Sequence, residues 1–127
     1  MEIGPRCGGT LTPQTIKCSC GFDMTNATFN LLFDKHINVF AGQSTPTISF
    51  VLHTNKAGTF KSFKLQDDLQ AYLKEKHIYV QPGDEVVPYS EPGSTMGVLI
   101  FSLPDFKSAD VIVGHLYESV QSSIKLS

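Results

Sequence analysis

Apolar and polar positions alternate most clearly in the middle of the chain. From Thr45 to Leu52, the residues Ile48, Phe50 and Leu52 alternate with Thr47, Ser49 and Val51, the period of two that marks a strand. From Thr59 to Leu65 a second alternation sets Phe60, Ser62 and Lys64 against Thr59, Lys61, Phe63 and Leu65. Asn55-Lys56-Ala57-Gly58 between them reads as a hairpin turn. Shorter strands are predicted over Ile37 to Ala41, from Ile78 to Val80 and over Glu85 to Tyr89, with a turn at Gln81-Pro82-Gly83-Asp84. Gly97 to Leu103 is the most hydrophobic run, and its place is a central strand. Ser90 to Thr95 is a polar loop.

Helical spacing appears in three places. Thr25 caps a helix carrying Phe29, Leu32 and Phe33, with His36 one turn further on. Asp67 opens a helix through Lys76 with Leu69, Tyr72 and Leu73 on one face. Ser108 caps a last helix whose stripe runs Ala109, Ile112, Val113, Leu116, Tyr117, Val120 and Ile124. That stripe is expected in the core; the alternative is a docking face for a partner or a second copy. Gly114 inside this helix costs roughly 1 kcal/mol relative to alanine, so a close packing contact is expected there. The elements lack regular strand–helix alternation. The fold class is therefore α+β, a mainly antiparallel sheet with two or three helices, the last one C-terminal.

With 127 residues, 41% of them hydrophobic, the chain is expected to form a single domain, residues 1–127, with a real core. No apolar run approaches the ~18–20 residues of a membrane span, and the first five residues lack the basic start and apolar stretch of a signal peptide. The net charge of −2 is unevenly spread. Residues 1–66 hold six basic groups against three acidic ones, and residues 67–127 hold four against nine. A mildly basic face on the first half or a chance scatter of solvated charges both fit this asymmetry.

The three cysteines all fall near the start: Cys7, Cys18 and Cys20. Such clustering does not suit a secreted disulfide frame and points to a reducing intracellular, cytoplasmic location. Arg6-Cys7-Gly8-Gly9 and Lys17-Cys18-Ser19-Cys20-Gly21-Phe22 read as two knuckles of a small zinc ribbon over residues 1–22, joined by a hairpin of Thr10 to Lys17 with its turn at Thr12-Pro13-Gln14. Zinc asks for four ligands in a tetrahedron. Gly4 stands where a first cysteine would complete the first knuckle, and the second knuckle is one residue short. Cys7, Cys18 and Cys20 are the candidate ligands, with His36 the nearest histidine able to complete them. A surface histidine at a helix end is the plainer account of His36. The cofactor expectation is accordingly either none or zinc.

These knuckles resemble the zinc-ribbon repeat at the C-terminus of type IA DNA topoisomerases. Such repeats continue into a short helix, a Gly-Lys-Thr-like turn and a Lys/Phe hairpin. Here the corresponding stretches are Thr25 to His36, Gly42-Gln43-Ser44-Thr45 and Asn55 to Leu65. The resemblance covers about half of the chain and implies a nucleic-acid accessory module that binds single strands.

Lys56, Lys61 and Lys64 interleave with Phe60 and Phe63, and single strands are held by cations on phosphates and aromatic faces on bases. Arg6 and Lys17 extend the candidate set. A half-buried strand with aromatic side chains inward gives the same pattern. No nucleophile–base signature is evident, and the adjacent pairs Asp67-Asp68 and Asp84-Glu85 diverge on any regular backbone, so an enzyme is not expected. Two functions follow: a non-catalytic accessory domain for single-stranded nucleic acid, or a protein-interaction or assembly module, such as a homodimer, with a structural ribbon remnant.

Overall fold

The computed structural model describes residues 9–33, 35–37, 39 and 43–127. In chain order the elements are α1 (Thr12–Cys20), α2 (Met24–Leu32), β1 (Thr47–Leu52), β2 (Gly58–Phe63), α3 (Asp67–Gln70), β3 (Leu73–Ile78), β4 (Glu85–Val86), β5 (Gly97–Ser102), α4 (Phe106–Ser123) and β6 (Ile124–Leu126). They form two three-stranded sheets, β1-β5-β3 and β4-β2-β6, and every pairing is antiparallel. The protein is α+β with a long C-terminal helix.

β5 is the centre of the first sheet, as its composition predicts. Val98, Leu99, Ile100 and Phe101 are all buried, which requires cover on both faces of the strand. Leu99 and Phe101 join the main core with Leu52, Phe60, Met96, Leu116 and Val120. Val98 and Ile100 point the other way, to the face on which α1 packs. Burial of a side chain the size of Phe101 contributes about 1.5–3 kcal/mol.

Several expectations fail for identifiable reasons. The predicted hairpin of Thr10 to Lys17 is a helix, so the zinc ribbon is not formed among the described residues. Pro13 lies in the first turn of α1, where proline is tolerated, so it opens a helix here and makes no hairpin turn. Gly21, at φ 77°, closes the helix in the left-handed conformation, donating its N–H to the Lys17 carbonyl at 2.9 Å. β1 and β2 do not pair with each other. β1 lies beside β5 and β2 between β4 and β6, and the segment between them crosses from one sheet to the other. The buried Thr54 shapes that crossing: its hydroxyl accepts from the Lys56 N–H and donates to the Lys56 carbonyl, both at 3.1 Å.

The helix predicted from Asp67 lasts one turn, and Leu73–Ile78 then runs as an edge strand. β5 needs a partner on each side, and that tertiary demand overrides the helical spacing of Leu69, Tyr72 and Leu73. The caps also differ from expectation. Asp23, not Thr25, caps α2 by accepting from the Asn26 N–H at 2.9 Å. Asp105, not Ser108, caps α4, accepting from the Ser108 N–H at 2.7 Å and from its hydroxyl at 3.0 Å. On α4 the buried stripe is narrower than predicted: Leu116 and Val120 are in the core, whereas Val113 and Tyr117 are exposed. A Cβ at Gly114 would meet nothing within 4 Å, so no close contact accounts for this glycine. Of the strand predicted at Ile37 to Ala41, Ile37 and Val39 are described and are not in a strand; the rest lies outside the described residues.

Candidate functional site

The candidate metal ligands are not brought together. Cys18 and Cys20 are two apart on α1, which places their side chains about 200° apart around the axis. The Cys18 thiol donates to Glu75 Oε1 at 3.9 Å, and the Cys20 thiol to the Ile16 carbonyl at 3.4 Å. Burial pushes the Cys18 thiol above its ordinary pKa, and the negative charge of Glu75 pushes it the same way. A ligand thiolate needs the opposite environment. His36 is exposed, Cys7 lies outside the described residues, and no group of three or more potential ligands is found among the described residues.

The candidate nucleic-acid set is split. Phe60 is 3% exposed and belongs to the core, so it offers no face to a base. Phe63 is half-buried against the core and carries the Lys76 ammonium 5.9 Å above its ring. Lys56, Lys61 and Lys64 are exposed. Lys17 is exposed but paired with Asp23 at 2.8 Å, and Arg6 lies outside the described residues.

The feature that stands out is α2. None of its nine residues is buried, although Phe29, Leu31 and Leu32 are large and apolar. Phe29, Leu32 and Phe33 follow the i, i+3, i+4 spacing of one stripe and are 58%, 73% and 69% exposed. A helix of nine residues is marginal in water, and packing on an apolar face normally holds it. Among the described residues, α2 is held by its Asp23 cap and by contact with α1.

The junction between the two helices is fixed. Lys17 Nζ donates to Asp23 Oδ2, while Asp23 Oδ1 accepts the Asn26 amide. The hydrogen bond from Asn26 and then that from Lys17 hold the Asp23 carboxyl below the usual range, and Asp23 in turn raises Lys17. An open groove of about 390 Å³ lies along this junction, with Pro13, Gln14 and Lys17 on one wall and Thr25, Asn26 and Phe29 on the other. Such a polar junction beside an exposed apolar stripe can seat another polypeptide surface. The spacing of Phe29, Leu32 and Phe33 is visible in the sequence; their exposure is not.

A second polar cluster escaped the sequence reading. Glu75 Oε2 lies 2.8 Å from His77 Nε2 on β3, beneath Cys18. Lys74 to His77 is an unbroken polar run with no apolar alternation, so no local pattern marks this strand face, and a register shift between Leu73 and Glu75 separates it from the core side.

No family model matches the chain. Over 126 residues it is 25% identical to an uncharacterized protein, y4rH, of Sinorhizobium fredii, a match spanning 98% of this chain and 26% of that protein. Two solved structures share the fold. Phosphoribosylglycinamide synthetase from Anaerococcus prevotii matches with a TM-score of 0.70 at 14% identity, over 96% of this chain and 31% of the synthetase. L-amino acid ligase from Bacillus licheniformis matches with a TM-score of 0.72 at 12% identity, over 96% of this chain and 30% of the ligase. The chain therefore spans about a quarter to a third of the length of these proteins and has the fold of one segment of each ligase.

Proposed function

We propose that this chain is a segment of a ligase-type enzyme, and that the apolar stripe of α2 is where the rest of that enzyme sits. The observation that carries the reading is the uncovered stripe of Phe29, Leu32 and Phe33 on a helix with no buried residue. The two ligases support it, since each contains this fold as about a third of a longer chain. On this reading the face is an intramolecular surface that the isolated segment leaves bare. On this reading the reaction belongs to the whole enzyme, to which this unit contributes shape and support. The expectation of a protein with no enzymatic role, drawn from this segment's residues alone, is not what the ligase fold favours.

The test is substitution on the stripe. Leu32→Ser and Phe33→Ser, at exposed positions, change the stability of the isolated chain by less than about 0.5 kcal/mol. The same pair introduced into the longer polypeptide detaches the segment and lowers its ligase activity. Full activity of the doubly substituted longer polypeptide overturns the reading.

A second reading is favoured by one observation. Lys56, Lys61 and Lys64 are exposed, and none forms an ion pair among the described residues. On this reading the chain contacts the phosphates of a single strand by charge alone, without stacking on Phe60. Affinity is then low and falls steeply with salt. Fluorescence anisotropy of a labelled oligothymidylate over a salt series, with Lys61→Glu as the comparison, decides it; no salt dependence or no effect of the substitution ends this reading.

A further inference from the structure

Away from α2, a cavity of about 420 Å³ opens between the turn at 54–56, the end of α4 and β6. Its volume is within the range of small-molecule sites. Its walls are set by hydrogen bonds that do not depend on a ligand. Thr54 holds the turn through the Lys56 N–H and carbonyl. The Tyr117 hydroxyl donates to Asn55 Oδ1 at 2.8 Å, and Gln121 Nε2 donates to the His53 carbonyl at 2.7 Å. The His53 ring lies between Tyr89 and Tyr117, with centroids at 5.0 and 5.8 Å, which ties the turn to α4 and to the 87–90 loop. β6 is fixed to β2 through Phe60 and Leu126, and at Gly58 a Cβ would come within 3.0 Å of the Ser127 carbonyl oxygen, so the two strands approach closely.

The chemistry of the lining has one sign. Lys56 enters from the turn and Lys125 from β6, and neither forms an ion pair among the described residues. No acidic side chain lines the cavity, while Ile124 and Leu126 give it an apolar wall. A cavity with an apolar wall and two lysines among its lining residues, neither in an ion pair among the described residues, suits one class of ligand. We propose that it binds a small organic anion, with the phosphate or carboxylate held between Lys56 and Lys125 and the apolar body against Ile124 and Leu126. A pair of cations converging on one anion gives charge-assisted hydrogen bonds, stronger than neutral ones, and a neutral molecule of the same shape forgoes them.

Three small monosubstituted benzenes separate the outcomes: phenyl phosphate, benzoate and benzyl alcohol. Each is titrated into the isotopically labelled 127-residue chain while amide resonances are followed. The proposal expects saturable shifts confined to Asn55, Lys56, Gln121, Lys125 and Leu126 with at least one anion, and none with benzyl alcohol. Tighter binding of phenyl phosphate identifies a phosphate site, and tighter binding of benzoate a carboxylate site. Lys56→Ser with Lys125→Ser weakens binding at least about tenfold, whereas Lys74→Ser, an exposed lysine on β3 outside the cavity, leaves it unchanged. Equal shifts with the neutral probe, equal loss in Lys74→Ser, or no saturation with either anion overturns the proposal. Both lysines are exposed, so a matching spectrum of the double variant away from the cavity shows that its fold is retained.

Discussion

Gly97 faces the backbone of β3 so closely that a Cβ there would overlap the carbonyl oxygen of His77, and would lie 3.2 Å from the Ile78 Cα. The central strand and its edge partner meet at this point, where Ile78 and Gly97 are paired. A backbone group cannot swing aside as a flexible side chain can. Gly97→Ala is therefore expected to lower stability by about 2–4 kcal/mol, read from urea unfolding. A change below about 0.5 kcal/mol would mean that β3 and β5 are not registered in this way.

Gly114 predicts the opposite sign. It lies exposed within α4, with open space where a Cβ would go. Gly114→Ala is expected to raise stability by about 0.5–1 kcal/mol, through helix propensity and the loss of freedom in the unfolded chain. Destabilisation in urea melts would show that something covers this position.

The Asp105 cap makes α4 sensitive to acid. The Ser108 amide and then its hydroxyl hold the Asp105 carboxyl below its ordinary value of 3.8. The folded state thus favours the ionised form. Its contribution is present above pH 3.8 and is lost as pH falls through the lowered folded value. Asp105→Asn keeps a capping oxygen but cannot titrate. Unfolding free energy plotted against pH should fall less steeply for this variant below about pH 4, and adding Asp23→Asn, whose carboxyl is also depressed, should flatten it further. Parallel curves for wild type and variant would contradict the cap.

Cys18 is expected to react slowly. Its thiol is pushed up by burial and by Glu75, so little thiolate is present near neutral pH. Alkylation by iodoacetamide at pH 8, followed by mass spectrometry, should be several-fold slower at Cys18 in the folded chain than in the unfolded one. Glu75→Gln should speed it, because removing the negative charge favours the thiolate. Faster reaction at Cys18 in the fold would place it in an electropositive setting incompatible with the contact to Glu75.

The sequence reveals the parts of this fold that depend on local pattern. The unbroken apolar run of β5, the alternation of β1 and the long stripe of α4 each carry their own signal, and each element stands where its pattern puts it. The misreadings arise where one residue type serves two structures. Pro13 suits a turn and a helix start alike, and the close spacing of Cys18 and Cys20 suits a metal knuckle, though on α1 their sulfurs diverge. Gly58 after Asn55-Lys56-Ala57 suits a hairpin, but a hairpin also requires the flanking strands to share a sheet, which long-range pairing alone decides. Phe60 and Phe63 could face inward or outward on pattern alone; packing against Leu126 and Ile124 turns them inward. The stripe of α2 was legible as a helix face, but its lack of cover depends on what packs against it and is invisible to any local pattern.

Amide hydrogen exchange across Met24–Leu32 tests the central claim most directly, comparing the isolated chain with the longer polypeptide proposed to carry it. In the isolated chain these amides should exchange close to the rate of a fraying helix, because little burial holds them. In the longer polypeptide the covered stripe should slow them at least about tenfold, while β5 is equally protected in both. Identical rates for α2 in the two contexts would show that nothing sits on Phe29, Leu32 and Phe33, and would contradict the account.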